Sequence, residues 1–205
     1  MRLSPLFLAA CLSGLGLASP AMAAEYNVVR AEKSSIRFVA KQMGASVEGR
    51  FSRFIARIAF DPAKPDDASA RIDVDLASIE AGSTEANEEV KGRDWFNVKE
   101  IPAASFVATR LKPLGGTRYE ATGKMSIKGQ TREVLVPLTA RREGTDMLLE
   151  GTLPIQRLQY GIGGGVWSDT SVVADEVQVR FRLLLGASPA QKNLPATPPL
   201  KQKAH

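Results

Sequence analysis

Apolar and polar residues alternate one for one along most of this chain, and that period of two constrains the fold more than any other feature. Successive side chains of an extended strand point to opposite faces, so alternation makes one apolar and one wet face, whereas a helix needs a period near 3.6. In Arg71-Ile72-Asp73-Val74-Asp75-Leu76 the apolar residues share one face and the charged residues the other. The pattern recurs at 35–41, 47–51, 53–60, 104–111, 119–127, 133–140, 147–153 and 176–183. Eight or nine strands this closely spaced predict an all-β, antiparallel sheet protein.

The connections carry turn chemistry. A glycine between two alternating runs at Lys128-Gly129-Gln130 predicts a hairpin, Leu114-Gly115-Gly116-Thr117 a second turn, and Asp61-Pro62-Ala63-Lys64-Pro65 a proline-stiffened one. Only 83–92 departs from the rule. It has an N-cap candidate at Ser83, acidic residues in its first turn and Gly92 at its end, and predicts a short helix across one end of the sheet. A sheet of about eight strands with one small helix must split into a sandwich or close into a barrel, and closure removes the exposed edges. An eight-stranded barrel is either filled by side chains or holds one small ligand. Periodicity leaves sandwich and barrel both open.

The two ends of the chain read differently from the middle. Residues 1–23 have one positive charge at Arg2, an apolar stretch from Leu3 to Leu17 and an Ala21-Met22-Ala23 box, which predicts a secretory signal cleaved before Ala24. The stretch is short for a membrane-spanning helix. A rival reading takes Leu8-Ala9-Ala10-Cys11 as a lipobox, but apolar residues continue after Cys11 where a lipoprotein turns polar. Either route exports the product, so the expected location is the periplasm. Residues 186–205 lose all periodicity and read as a flexible, proline-containing tail. The expected domain is therefore 24–185.

This segmentation changes the chemistry available. The chain's one cysteine, Cys11, and one histidine, His205, both fall outside the domain, which removes disulfides, Cys/His metal sites, thiol nucleophiles and His-dependent triads. Setting aside Arg2, Lys192, Lys201 and Lys203 leaves 23 basic residues against 22 acidic, so a formal +5 becomes near neutrality. No basic cluster with interleaved aromatics points to nucleic acid, and Arg141-Arg142 reads as the solvated end of a strand.

The remaining motifs have bland readings. Gly161-Ile162-Gly163-Gly164-Gly165-Val166-Trp167 lacks the lysine of a phosphate loop and the helix of a dinucleotide fingerprint. It reads as a flexible or positive-φ loop, with Trp167 folded back onto apolar surface. Asp73 and Asp75 read as a solvated outer face, and Glu85, Glu88 and Glu89 as a wet helix face. No serine sits in a nucleophile elbow. Neither catalytic residues, nor a metal site, nor a cofactor is expected.

Several stretches, taken in order, carry a family resemblance. They are Ser35-Ile36-Arg37-Phe38, Gly49-Arg50-Phe51-Ser52-Arg53-Phe54, Phe60-Asp61-Pro62 and Ile72-Asp73-Val74-Asp75-Leu76-Ala77-Ser78-Ile79. Asp94-Trp95-Phe96-Asn97-Val98, Gly123-Lys124-Met125-Ser126-Ile127 and Arg157-Leu158-Gln159-Tyr160-Gly161-Ile162-Gly163 follow, leading to Asp175-Glu176-Val177. In this order and spacing the chain resembles the YceI-like family of exported proteins, lipocalin-type barrels described as polyisoprenoid-binding. It departs from the common pattern in having Glu89-Val90 where many members carry His-Leu, Trp95 where a second Phe is usual, and an elaborated 163–167 segment. It looks closest to a subgroup associated with membrane b-type cytochromes.

The resemblance implies an antiparallel lipocalin-like barrel with a tunnel for one long isoprenoid-type lipid, a polyprenyl chain or an isoprenoid quinone. The residues expected to line it are Phe38, Phe51, Phe60, Val74, Phe96, Phe106, Met125, Ile127, Val179 and Phe181. The aromatic members of that set would equally serve as ordinary core. A membrane b-type cytochrome and a second copy of the chain are the protein partners left open. The competing reading is a solid-cored interaction module docking on an envelope protein, and a more distant one a carboxylate enzyme acting on lipid-linked substrates.

Overall fold

The structure, a computed structural model, describes residues 25–188; the expected signal segment and the tail beyond Ser188 lie outside the described residues. Its strands are β1 (Tyr26–Val29), β2 (Ser35–Gln42), β3 (Ala45–Phe51), β4 (Phe54–Ala59), β5 (Ser69–Asp75), β6 (Ile79–Glu80), β7 (Ala103–Gly115), β8 (Arg118–Ile127), β9 (Gln130–Glu143), β10 (Asp146–Gln156) and β11 (Glu176–Ala187), with one α-helix, α1 (Thr84–Lys91). All strand pairings are antiparallel, in the order β4-β5-β7-β8-β9-β10-β11-β2-β3-β6.

The two ends of that order are joined through the chain itself. β4 follows β3 after only Ser52 and Arg53, and β6 follows β5 after one 3₁₀ turn at Leu76–Ser78. β3–β4 and β5–β6 are thus two long bent strands that pair with each other along their length, β4 on β5 and β3 on β6. Counting each bent strand once gives the expected eight staves of a lipocalin-like barrel. β1 adds a stitch: it pairs with β11, and Tyr26 exchanges main-chain hydrogen bonds with Phe60 at the end of β4, 2.8 and 3.1 Å long.

Sequence dictates the local geometry. Met43 and Gly44 at the β2–β3 turn, and Lys128 and Gly129 at the β8–β9 turn, all have positive φ, as tight hairpins require. The registers put inward residues opposite inward residues: Phe38 faces Val179 on one side and Gly49 on the other, and Phe106 faces Ile72 and Met125. The outer face is wet, as expected. Asp73 pairs with Arg71 at 2.7 Å and Asp75 with Arg53 at 2.7 Å. Such exposed pairs contribute about 0–1 kcal/mol each.

One boundary is corrected. β11 continues through Gly186 and Ala187, which pair with Val28 and Tyr26, and Ser188 N–H donates to Glu25 O at 2.8 Å. The folded unit therefore runs past 185, because a partner strand, not periodicity, holds those last residues.

Candidate ligand-binding cavity

The barrel interior is open. It encloses a cavity of about 620 Å³ whose wall is almost entirely apolar. Phe38, Phe51, Phe60, Val74, Phe96, Phe106, Met125, Ile127, Val179 and Phe181 all lie on that wall. Alternation explains all of these but Phe96, which lies outside the strands: once a strand's phase is known, its inward residues follow. Phe51 links two of the others, 5.8 Å from Phe38 and 6.2 Å from Phe96 between ring centroids.

An interior so rich in phenylalanine stays open because of three glycines. Gly49 lies opposite Phe38 and Gly151 opposite Phe181, while Gly123 is diagonal to Phe106. A Cβ added at any of them would collide with the neighbouring ring, at 2.5 Å for Gly123 and Gly151. Each ring lies down over its glycine against the barrel wall and does not stand up into the lumen. Sequence reasoning missed these glycines. Their signal was legible, since each sits at an inward position of an alternating strand, where a side chain is otherwise expected.

One end of the cavity is packed shut. Tyr26, Phe60, Tyr119, Met147, Leu149, Leu183 and Leu185 form a buried cluster there, with Phe60 and Tyr119 edge to face at 5.5 Å. The other end is rimmed by α1 and the glycine-rich segment. α1 is started by Ser83, whose Oγ accepts from Ala86 N–H, and is tied to β6 by the hydrogen bond from Ala81 N–H to Asn87 Oδ1. The chain then turns back sharply: Trp95 and Asn97 donate to Gly92 O and Phe96 to Val90 O. Trp95 and Phe96 are thereby brought onto the wall.

Arg157 organises this end. It is 1% exposed, and its five N–H groups go to five main-chain carbonyls. Nε donates to Ala174 at 3.1 Å, Nη1 to Ile162 at 2.9 Å and Gly163 at 2.8 Å, and Nη2 to Trp167 and Val173, each at 2.7 Å. Burial pushes the guanidinium pKa down and nearby Asp175 opposes this; an arginine starts so high that it stays charged. Gly163 has φ +73°, and a Cβ there would strike Arg157 Nη1. Gly161, Gly163 and Gly165 all have the positive φ expected here, and the 163–167 segment is wound around one buried cation. Trp167 does fold back, 5.5 Å from Trp95, and its Nε1–H donates to Glu89 Oε1 at 2.9 Å, joining the loop to α1. Glu89, Trp95 and the 163–167 segment thus form one cluster. Trp95 Nε1, packed beneath Arg157 and Trp167, has no acceptor among the described residues.

The helix carboxylates divide. Glu88 pairs with Lys91 at 2.8 Å on the outer side, but exposed Glu85 and Glu89 stand on the cavity rim with Gln42. All three are exposed, as a wet helix face requires; because α1 lies across the opening, Glu85 and Glu89 border the lumen as well. A hydrogen bond from its own main-chain N–H, and then one from the Ser83 hydroxyl, hold the Glu85 carboxyl below the usual range.

Residues 26–185 match the model of the YceI-like domain. A UPF0312 protein of Azotobacter vinelandii is 30% identical over 146 residues, covering 70% of this chain and 74% of the relative. A UPF0312 protein of Shewanella denitrificans is 31% identical over 143 residues, 68% of this chain and 75% of the relative. Among solved structures, BcnA of Burkholderia cenocepacia superposes with a TM-score of 0.75 at 44% identity, covering 76% of this chain and 98% of that one. A polyisoprenoid binding domain from Saccharophagus degradans, implicated in plant cell wall breakdown, shares the fold with a TM-score of 0.62 at 17% identity, over 81% of this chain and 99% of that one. Matched across nearly all of its barrel, this chain belongs to the YceI-like family.

Proposed function

We propose that this protein is exported to the periplasm and there holds the chain of a long isoprenoid-type lipid inside its barrel, as a binding or carrier protein without catalysis of its own. The observation that carries the reading is the apolar cavity of about 620 Å³ inside the barrel. Likeness to the Saccharophagus polyisoprenoid binding domain supports it. A lipid chain asks for shape and apolar lining, which a domain free of cysteine and histidine supplies. Burying about 400 Å² of such a chain at ~25 cal/mol per Å² gives a gross driving force of about 10 kcal/mol before the costs of association. The open interior counts against the alternative of a solid-cored interaction module.

The volume also sets a length. At about 30 Å³ for each water-sized group, the cavity takes about twenty methylene-sized groups, or about four isoprene units, and longer chains must leave through the rim. The test is native mass spectrometry of the protein as isolated, organic extraction, and uptake of an isoprenoid alcohol series from ten to forty carbons. Affinity is expected to rise with length and level off near twenty carbons. If no lipid is released and none is taken up, the reading fails.

A further inference from the structure

Lipid binding by the barrel, as read above, leaves open what kind of head group the protein accepts. A chain entering tail first buries its apolar end against the packed cluster of Phe60 and Tyr119 and leaves its head at the rim formed by α1 and the 163–167 segment. The rim is therefore where a head group is chosen.

Three charged residues border the cavity among the described residues: Arg157, Glu85 and Glu89. The only cation of the three is not available to a ligand, because all five of its N–H groups are spent on carbonyls. The indole N–H of Trp167 is likewise spent, on Glu89. Lys91, the basic residue of α1, turns to Glu88 at 2.8 Å. What faces the opening is a pair of carboxylates one helical turn apart, and Gln42, whose carboxamide makes no side-chain hydrogen bond among the described residues; the unpaired Trp95 Nε1–H is a neutral donor buried deeper on the wall, beneath Arg157. The hydrogen bonds that Glu85 accepts favour its ionised form.

We propose that this rim selects lipids with an uncharged, hydrogen-bonding head, a hydroxyl or carbonyl, and turns away phosphate and diphosphate esters. Glu85 and Glu89 repel an anionic head, and Gln42 offers a neutral donor and acceptor to an oxygen-bearing one. A site built for a diphosphate would present free lysines, arginines or clustered N–H groups at the same place.

The test uses the purified, delipidated protein and three ligands with one C20 chain: geranylgeraniol, geranylgeranyl diphosphate and the hydrocarbon phytane, with binding read by calorimetry. At low salt the alcohol is expected to bind at least about tenfold more tightly than the diphosphate. Part of that gap comes from the diphosphate's own preference for water, so the decisive reading is how the gap responds. The E85Q/E89Q double variant keeps an acceptor for Trp167 and is expected to narrow the ratio about tenfold by strengthening diphosphate binding; raising salt is expected to narrow it in the same direction. Equal binding of alcohol and diphosphate by the unaltered protein, or a ratio that the double variant leaves unmoved, overturns the proposal. If phytane and geranylgeraniol both fail to bind, lipid binding itself falls and this inference with it; if they bind while the charge dependence is absent, only the inference falls.

Discussion

The two ends of the barrel are closed by different physics. At one end Tyr26, Phe60, Tyr119 and their neighbours bury apolar surface, and β1 stitches β11 to the end of β4. At the other, one buried guanidinium gathers five carbonyls, and a single side-chain hydrogen bond from Trp167 reaches α1. Apolar packing is non-directional and tolerates small changes, whereas a polar hub depends on every partner being in place. The difference assigns the ends their roles: one is a floor, the other a shaped opening.

The largest expected effect falls on the hub. Arg157→Met leaves five inward carbonyls without donors and is expected to lower stability by about 3–5 kcal/mol in urea titration. It should also red-shift tryptophan emission of the native state, since both tryptophans of the chain, Trp95 and Trp167, sit at this end. Arg157→Lys should rescue little, having three donors where five are used. On the floor, Phe60→Ala is expected to cost about 3 kcal/mol by leaving a void, with tryptophan emission unchanged. A shift in emission as large as that of Arg157→Met would show that the two ends are not independent.

Smaller effects sharpen the contrast further. Gly49→Val and Gly151→Val should each cost about 1–3 kcal/mol through overpacking and, by raising Phe38 or Phe181 into the lumen, abolish uptake of a C20 alcohol. Uptake at unaltered affinity would show that the glycines do not keep the lumen open. Trp167→Phe cuts the tie to Glu89 and is expected to change stability by less than about 1 kcal/mol. Acid should loosen the opening before the floor. The Asp169 carboxyl is held below its usual range by the hydroxyl and then the N–H of Ser171. Its stabilising effect is therefore present above the usual carboxylate range and is lost as pH falls through the depressed value. Tryptophan emission is expected to change before far-ultraviolet circular dichroism on acid titration; coincident transitions would count against a separately closed rim.

Much of the fold was legible because alternation is a local property with a global consequence. Reading the phase of each strand was enough to put Phe38, Phe106, Val179 and six more of the expected residues on the inner wall, while Phe96 reaches it through the turn after α1. β1 and β6 were not legible. Four and two residues long, they are too short to show a period, and they exist as strands because β11 and β3 lie beside them. Arg157 was visible only as part of a motif, since nothing local tells a surface arginine from one whose five carbonyl partners come from residues 162–174.

The sequence by itself determined an antiparallel β domain, its inward and outward residues, its one helix and the absence of cysteine and histidine between residues 24 and 185. It did so because strand phase, turn chemistry and composition are set by neighbours along the chain. Only the tertiary structure decided that the sheet closes, that the interior stays open, and that Glu85 and Glu89 stand at its mouth. Those outcomes depend on pairings across the sheet. Gly49 beneath the Phe38 ring and five carbonyls around Arg157 bring together residues whose relation to each other no local pattern records.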